Sequence, residues 1–219
     1  MDTIRPYTVD TRTRYLVDAV REIEYPLATS ADLEPLMEKI GDANYVLLGE
    51  ASHGTSDYYT WRAHLSKRLI QEKGFSFIAV EGDWPDCYRL NRFIKGNDEA
   101  QSAYEVLHTF RRWPTWMWAN WEIVALGEHY YRTMLGGSAA SWNVHDYHMA
   151  NTLDRLMDHY GSHAKAIVWE HNTHIGDARA TDMSQANMVN VGQIVRERHQ
   201  GAGVILVGFG SQPGHCYCR

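Results

Sequence analysis

Chemically capable side chains follow three apolar runs of this 219-residue sequence, each at the point where the run ends. The segments concerned are GEASHG at 49–54, EGDW at 81–84 and EHNTH at 170–174. If the runs are parallel strands of one sheet, their carboxyl ends meet at one edge, which is where open parallel sheets bind ligands. Carboxylates and imidazoles would then gather in one place, a stronger indication of a site than any single motif.

The glutamates Glu50 and Glu81 follow the first two of these runs. A carboxylate beside a buried strand is costly unless it is paired or hydrogen-bonded, so each glutamate is either a structural ion pair, a carboxylate at a helix N-terminus, or part of a site. His53 is either a histidine of the capping region or a general base, because imidazole titrates near neutral pH and a neighbouring carboxylate can orient it. Together at one edge, the three residues favour a site.

His171 and His174 lie three residues apart in a segment that we expect to be a loop. Their spacing suits two ligands of one metal ion, or two donors to a developing oxyanion. In the metal alternative, Glu50, Glu81, His171 and His174 together hold a divalent ion and a water molecule. In the metal-independent alternative no cofactor is expected.

Two further residues near His53 have simpler interpretations. Arg62 falls inside the predicted helix that follows His53, and a solvated helix face is the simplest reading of its position. Ser52 does not fit a nucleophile elbow, because Glu50 occupies the position two residues before it where glycine is required. The sequence also lacks the glycine-rich patterns that bind phosphates.

Alternation of apolar runs and helical patterns predicts the fold. The runs show no clean alternation of polar and apolar residues, as expected when both faces of a sheet are covered. Helical patterns separate them, and Gly74 is expected to end one. This order predicts an α/β protein of three layers, a mainly parallel sheet flanked by helices, with its site at the strand carboxyl ends. The predicted strands are Tyr45–Leu48, Phe75–Val80, Ala164–Trp169 and Val204–Phe209, and the predicted helices are Asp57–Lys73, Asp86–Ile94, Glu122–Leu135, Asp146–Tyr160 and Asn190–His199, with two more around Tyr15–Val20 and Leu33–Ile40.

The composition excludes several classes of protein. A net charge of −6 argues against nucleic acid or an acidic membrane as partner, since both attract a basic surface. The sequence has no secretory signal and no run of about 18 apolar residues, the length of a membrane span. Three cysteines give no even disulfide framework, so a cytoplasmic protein is expected. The oligomeric state is left open.

Six segments together resemble the erythromycin esterase family, in wording and in order. They cover most of residues 40–121 and 141–210, and the combination is highly specific. The segments are LLGEASHGTSDYYTWRAHLSKRLIQEKGF, FIAVEGDWPDCYRLNRFI, FRRWPTWMW, SWNVHDYHMANTL, WEHNTHIGDAR and NVGQIVRER. The resemblance implies a hydrolase of ester bonds in a small molecule, with macrolactone opening as the activity that named the family and antibiotic resistance as its context.

The resemblance also implies roles for individual residues. His53 matches the family's proposed general base, which activates a water molecule. Glu50 and Glu81 match its active-site carboxylates, and Arg62 matches its active-site arginine. His171 and His174 match the paired histidines of the same cleft. In this reading His53, oriented by Glu50 or Glu81, deprotonates water, while His171, His174 or Arg62 stabilises the oxyanion.

The sequence departs from the family pattern in its middle and at its end. Residues 1–219 are expected to form a single domain of this type, incomplete relative to the family. A junction is expected near 121–127, where relatives carry a long helical segment, and the tail after Gly210 also differs. Besides the metal-dependent hydrolase, a non-catalytic remnant that serves as a binding or oligomerising module is therefore an alternative.

Overall fold

The computed structural model describes residues 11–111, 117, 139–212 and 215–218. Its helices are α1 (Thr11–Arg21), α2 (Glu34–Ile40), α3 (Ser56–Lys73), α4 (Trp84–Ile94), α5 (Ala103–Leu107), α6 (Ala139–Tyr160), α7 (Asn172–Ile175) and α8 (Val191–Arg198). Its strands are β1 (Tyr25–Leu27), β2 (Tyr45–Leu48), β3 (Phe77–Val80), β4 (Ala166–Trp169), β5 (Val204–Val207), β6 (Phe209–Gln212) and β7 (His215–Cys218).

A parallel sheet of four strands holds the described structure together, in the order β3-β4-β2-β5. All three pairings are parallel, and Leu48 is level with Trp169 on one side and with Val207 on the other. The four predicted strands are therefore confirmed. Two of them begin two residues later than expected, at Phe77 and Ala166.

Helices cover both faces of this sheet. Along β2, Val46 and Leu48 join one apolar core, which includes side chains of α2, α3, α4 and α5. Tyr45 and Leu47 point the other way and join a second core with side chains of α6, α7 and α8. Successive strand residues face opposite sides, so a strand buried on both faces is apolar throughout. The predicted three-layer α/β fold is confirmed.

A second sheet, which the sequence did not suggest, is antiparallel and has the order β1-β7-β6. The run predicted as one strand, Val204–Phe209, is divided, because β5 ends at Val207 and β6 begins at Phe209. The run thus supplies all of β5 but only the first residue of β6, Phe209.

Helix positions agree with most predictions. Gly74 ends α3 with φ of 69°, a left-handed conformation that glycine adopts without strain, as expected. The helix predicted from Asp146 begins earlier, at Ala139. The predicted helix Glu122–Leu135 and the predicted junction near 121–127 lie outside the described residues. Across the described ranges, no helix has the length and apolar character needed to cross a membrane.

Candidate functional site

The chain turns sharply where β2 ends, and glycine is needed there. A Cβ atom at Gly49 would collide with the side chains of Asn172 and Ile175, so only a residue without one fits. The backbone N–H of Asn172 donates to the carbonyl of Glu50 over 2.8 Å, which ties the segment after β4 to the segment after β2. Gly54, at φ of 80°, then lets the chain enter α3.

Glu50 is 1% exposed, and both of its carboxylate oxygens have partners. His53 Nδ1 lies 2.7 Å from Oε1, and Arg62 Nη2 donates to Oε2 over 2.8 Å. A buried carboxylate with two such partners is stabilised in its charged form. Glu50 therefore holds the His53 ring with Nδ1 towards the carboxylate, which leaves Nε2 as the nitrogen that can act as a base.

Arg62 is also 1% exposed, so the expected solvated helix face is wrong for this residue. Its guanidinium lies 4.8 Å from the ring centroid of Tyr59 and 4.6 Å from that of Trp169. Trp169 in turn donates from Nε1 to Ser66 Oγ over 3.0 Å. The planar, weakly hydrated guanidinium tolerates burial between two aromatic rings. Arg62 contacts Glu50 from inside the core, not from the solvent side.

Glu81 lies between the two predicted histidines. Its Oε2 accepts from the backbone N–H of His171 over 3.1 Å, and its Oε1 lies 3.7 Å from His174 Nε2. The His171 ring meets the His53 ring edge-to-face at a centroid distance of 5.1 Å. Glu81 thus connects the histidines after β4 to the group around His53.

The two histidines after β4 do not lie in a loop, and the loop expectation is wrong. Asn172–Ile175 is the short helix α7, and His171 occupies its N-cap. The reason is local: His171 Nδ1 accepts from the backbone N–H of Thr173, as a capping side chain does. This cap fixes the His171 ring and places His174 inside the helix, facing α6.

Asp146 is the main partner of His174. It is fully buried, and its carboxylate lies 2.9 and 3.0 Å from His174 Nδ1. It also accepts from the backbone N–H of Val191 over 3.0 Å. The Trp142 ring stacks on the His174 ring at 4.4 Å, and both are held in place. His174 consequently presents Nε2 towards Glu81.

The three histidines differ in pKa. Burial alone would lower the pKa of His53, but the hydrogen bond to Glu50 and the charges of Glu81 and Glu50 raise it above its ordinary value. Burial lowers the pKa of His171, which leaves that ring neutral beside His53. Burial opposes charge on His174 as well, yet the hydrogen bond to Asp146 and the charge of Glu81 raise its pKa to about 9. At neutral pH the site holds a charged His174 and a neutral His171.

Glu170, directly after β4, is buried and 5% exposed. Burial, reinforced by the charges of Glu81 and Asp146, raises the pKa of its carboxyl well above the ordinary value, against the opposing charge of His174. None of the described residues gives its Oε2 a hydrogen-bond partner. Burial therefore favours the protonated, neutral form of Glu170.

The structure brings all six predicted site residues together in one continuous series of contacts. Arg62 contacts Glu50, Glu50 contacts His53, and the His53 ring meets His171. Glu81 then joins the backbone of His171 to the ring of His174. Their chemical roles stay predictions. The six residues do lie together at one edge of the sheet in the structure.

The alternative in which four residues bind a metal ion also stays a prediction. The structure brings a different set of potential metal ligands together. Among the described residues, ligand atoms of His145, Asp146 and His174 lie within 4.8 Å of one another. Of the four predicted ligands, this group includes His174 alone. Both oxygens of Glu50 already have partners within 2.8 Å.

The sequence analysis assigned no chemical role to Asp146 or Glu170. The predicted helix begins at Asp146, whereas this residue lies inside α6, one turn beyond Trp142. The available signal was the segment SWNVHDYHMANTL, in which an aspartate sits among aromatic and histidine residues. Glu170 was visible as the residue directly after a strand, like Glu81, and its burial was the missing information.

Comparison with known sequences identifies the family context. The sequence model for erythromycin esterase matches residues 70–128 and 123–218, more than half of the chain. Erythromycin esterase type II of Escherichia coli is 31% identical over 75 residues. That stretch spans 34% of this chain and 18% of the Escherichia coli protein.

Solved structures share the fold at low sequence identity. A succinoglycan biosynthesis protein is similar with a TM-score of 0.66 and 18% identity, over 92% of this chain and 75% of that one. A Bacillus cereus protein gives 0.57 and 18%, over 93% and 75% of the two chains. A mutant of the erythromycin esterase EreC in its open conformation gives 0.52 and 12%, over 86% and 78%.

Proposed function

Because this chain belongs to the erythromycin esterase family, we propose that it hydrolyses an ester bond of a macrolide lactone or related molecule with water activated by His53. Two of the similar proteins are erythromycin esterases by name, and an antibiotic as substrate would link the chain to resistance. The proposal needs a base, a donor for the oxyanion and an accessible place for water.

The pairing of His53 with Glu50 is the observation that supports the proposal most strongly. The carboxylate at 2.7 Å orients the ring and stabilises the imidazolium that forms when His53 takes a proton from water. The His53 side chain is 30% exposed, so solvent reaches it, whereas Glu50 is buried. An exposed imidazole on a buried carboxylate is the arrangement that general-base catalysis uses.

His174 is the residue best suited to stabilise the oxyanion. Its raised pKa keeps it charged, and Asp146 holds Nδ1 so that Nε2–H is directed towards Glu81. A fixed cationic donor stabilises the negative charge that develops on the carbonyl oxygen as water adds. When the tetrahedral intermediate collapses, the proton held by His53 passes to the leaving alkoxide, which completes hydrolysis.

Arg62 acts in this scheme as a positioning residue. Its burial between Tyr59 and Trp169 keeps it away from a ligand, while its hydrogen bond fixes the second oxygen of Glu50. Arg62 therefore serves the base indirectly, through the geometry of Glu50.

The test is the change His53→Asn with an assay on erythromycin and on nitrophenyl esters. General-base catalysis contributes about 10²–10⁴-fold, so we expect turnover to fall by about that factor with the circular dichroism spectrum unchanged. His64→Asn, the same replacement at an exposed histidine of α3, is the control and should keep full activity.

Near-normal turnover of His53→Asn contradicts the proposal. Dialysis against a chelator distinguishes the proposed mechanism from the metal-dependent alternative. Under the proposed mechanism the protein retains its activity after this treatment. A protein that folds well and hydrolyses none of the esters would favour the non-catalytic module instead.

A further inference from the structure

A cavity of about 550 Å³ lies beside the edge strand β3, away from His53. Its walls come from β3, α4 and α6, with Val168 contributed from β4 and Glu170 from directly after it. Most of the lining is apolar: Phe77, Ile78, Ala79, Val80, Met149, Leu153, Leu156, Val168 and Val191. A volume of several hundred Å³ with an apolar lining is typical of a site for one small molecule.

Two residues that line the cavity each carry a polar atom without a partner among the described residues. These atoms are Oε2 of Glu170 and Oδ1 of Asn91, and both are shielded from solvent. Glu170 as a whole is 95% buried, given its 5% exposure. Buried polar atoms are nearly always hydrogen-bonded. Because almost no surface of either atom is accessible, a ligand in the cavity would reach these atoms only after the side chains rotate.

The cavity reaches the predicted site at one end. Val80 and Trp169 are level in the register of β3 and β4, so the next residues, Glu81 and Glu170, lie side by side beyond the strand ends. Val80 and Glu170 both line the cavity, and Glu81 contacts His174. A molecule that fills the cavity would therefore have one end close to the carboxyl edge of the sheet.

We propose that this cavity binds the apolar part of a neutral ester, whose polar end lies towards the carboxyl edge of the sheet. This inference rests on the proposed function, of which it specifies the substrate class: an ester with a bulky apolar group in preference to a short one. Lys95, His148 and His159 also line the cavity, but most of its lining is apolar, and burial of a charged group against apolar side chains is costly, so a neutral ligand is favoured.

Binding is measured first, in the His53→Asn background, so that no ester is turned over. The probe is Nile red, a neutral dye whose fluorescence rises in apolar surroundings. We expect saturable binding that ethyl octanoate displaces and ethyl acetate does not. Thr152→Phe places a ring in the cavity from α6 and should weaken binding by about ten-fold or more, because the ring occupies space that the dye would fill.

Matched variants make the binding result specific. Arg155→Phe adds the same ring to an exposed position of α6 outside the cavity lining and should change the affinity by less than about two-fold. Ala79→Leu fills the cavity from the opposite wall, on β3, and serves if Thr152→Phe does not fold. Absence of saturable binding, or equal affinity in Thr152→Phe and Arg155→Phe, overturns the inference.

Turnover is measured second, with His53 present. We expect nitrophenyl octanoate to be preferred over nitrophenyl acetate, and Thr152→Phe to remove that preference while acetate hydrolysis stays unchanged. An unaltered preference in a folded Thr152→Phe or Ala79→Leu variant overturns the inference while the proposed function stands. Displaceable Nile red binding without any ester hydrolysis supports the cavity and rejects the proposed function.

Discussion

Glu50 and Glu170 are buried glutamates at the ends of neighbouring parallel strands, yet their surroundings differ. Glu50 has His53 on one oxygen and Arg62 on the other. Glu170 has no described partner for Oε2, and Glu81 and Asp146 place further negative charge near it. The comparison shows that burial alone does not decide whether a carboxyl is charged; the partners that the fold places beside it do.

The difference has a chemical use in the proposed hydrolase. The carboxylate of Glu50, held by His53 and Arg62, can orient and stabilise the base, whereas burial favours the neutral form of Glu170 and leaves it no such role. Two residues of one type at one sheet edge thus differ in what they can do.

Removal of Arg62 is expected to give the largest effect on stability. In Arg62→Met, Glu50 keeps only His53, and breaking a buried ion pair costs about 3–5 kcal/mol. Urea denaturation measures the loss. Arg68→Met removes the surface ion pairs with Glu72 and Glu34 from the same helix and should cost less than about 1 kcal/mol. Equal losses for the two variants would mean that Glu50 does not depend on its buried partner.

The next largest effect is a pH dependence that comes from His174. Its pKa is about 9 in the folded protein and near 6.5 when unpaired, so its stabilising contribution is complete below pH 6.5 and is lost as pH rises through 9. The loss amounts to about 3 kcal/mol. Denaturation at pH 6.5 and at pH 9 should show this fall in the wild type and a smaller one in Asp146→Asn.

Asp154→Asn is the matched control for that measurement. Asp154 pairs with His199 and Arg198 near the surface, so its replacement leaves the environment of His174 intact. We expect the wild-type slope with pH to be retained in Asp154→Asn. If stability falls with pH equally steeply in Asp146→Asn, the pair of Asp146 with His174 is not the cause of the pH dependence.

The smallest of these effects distinguishes the two glutamates directly. The raised pKa of Glu170 means that the folded protein loses stability as pH rises above the ordinary range of a carboxyl group. Glutamine does not titrate, so Glu170→Gln should be more stable than wild type by about 1 kcal/mol at pH 8, with a smaller gain at pH 5. A variant that becomes less stable relative to wild type as pH rises would show that Glu170 is charged and paired.

The strands and the carboxyl edge of the parallel sheet could be predicted from the sequence because both depend on local pattern. Runs such as Tyr45–Leu48 and Val204–Val207 are apolar throughout, and strands buried on both faces require this. Residues that follow parallel strands meet at one edge whatever their side chains, which is why Glu50, Glu81 and the two histidines could be placed together.

The partners of these residues could not be predicted, since they depend on packing between distant segments. Asp146 reaches His174 because α6 packs against α7 and α8, a contact across 28 positions of the sequence. Arg62 was misplaced for the same reason: its helix face is polar in pattern, but Tyr59 and Trp169 enclose it. The second sheet, with β6 and β7 after Gly208, also escaped prediction because its strands carry no long apolar run.

The most direct test of the account is the pH dependence of kcat/KM for ester hydrolysis in the wild type and in Glu50→Gln, with folding checked by circular dichroism. His53 must be neutral to accept a proton, so the rate should rise with pH through an apparent pKa above 6.5 in the wild type. Glu50→Gln should lower kcat/KM by about 100-fold and move this rise to lower pH. An unchanged rate with an unchanged pH profile in Glu50→Gln would contradict the role of Glu50 and His53.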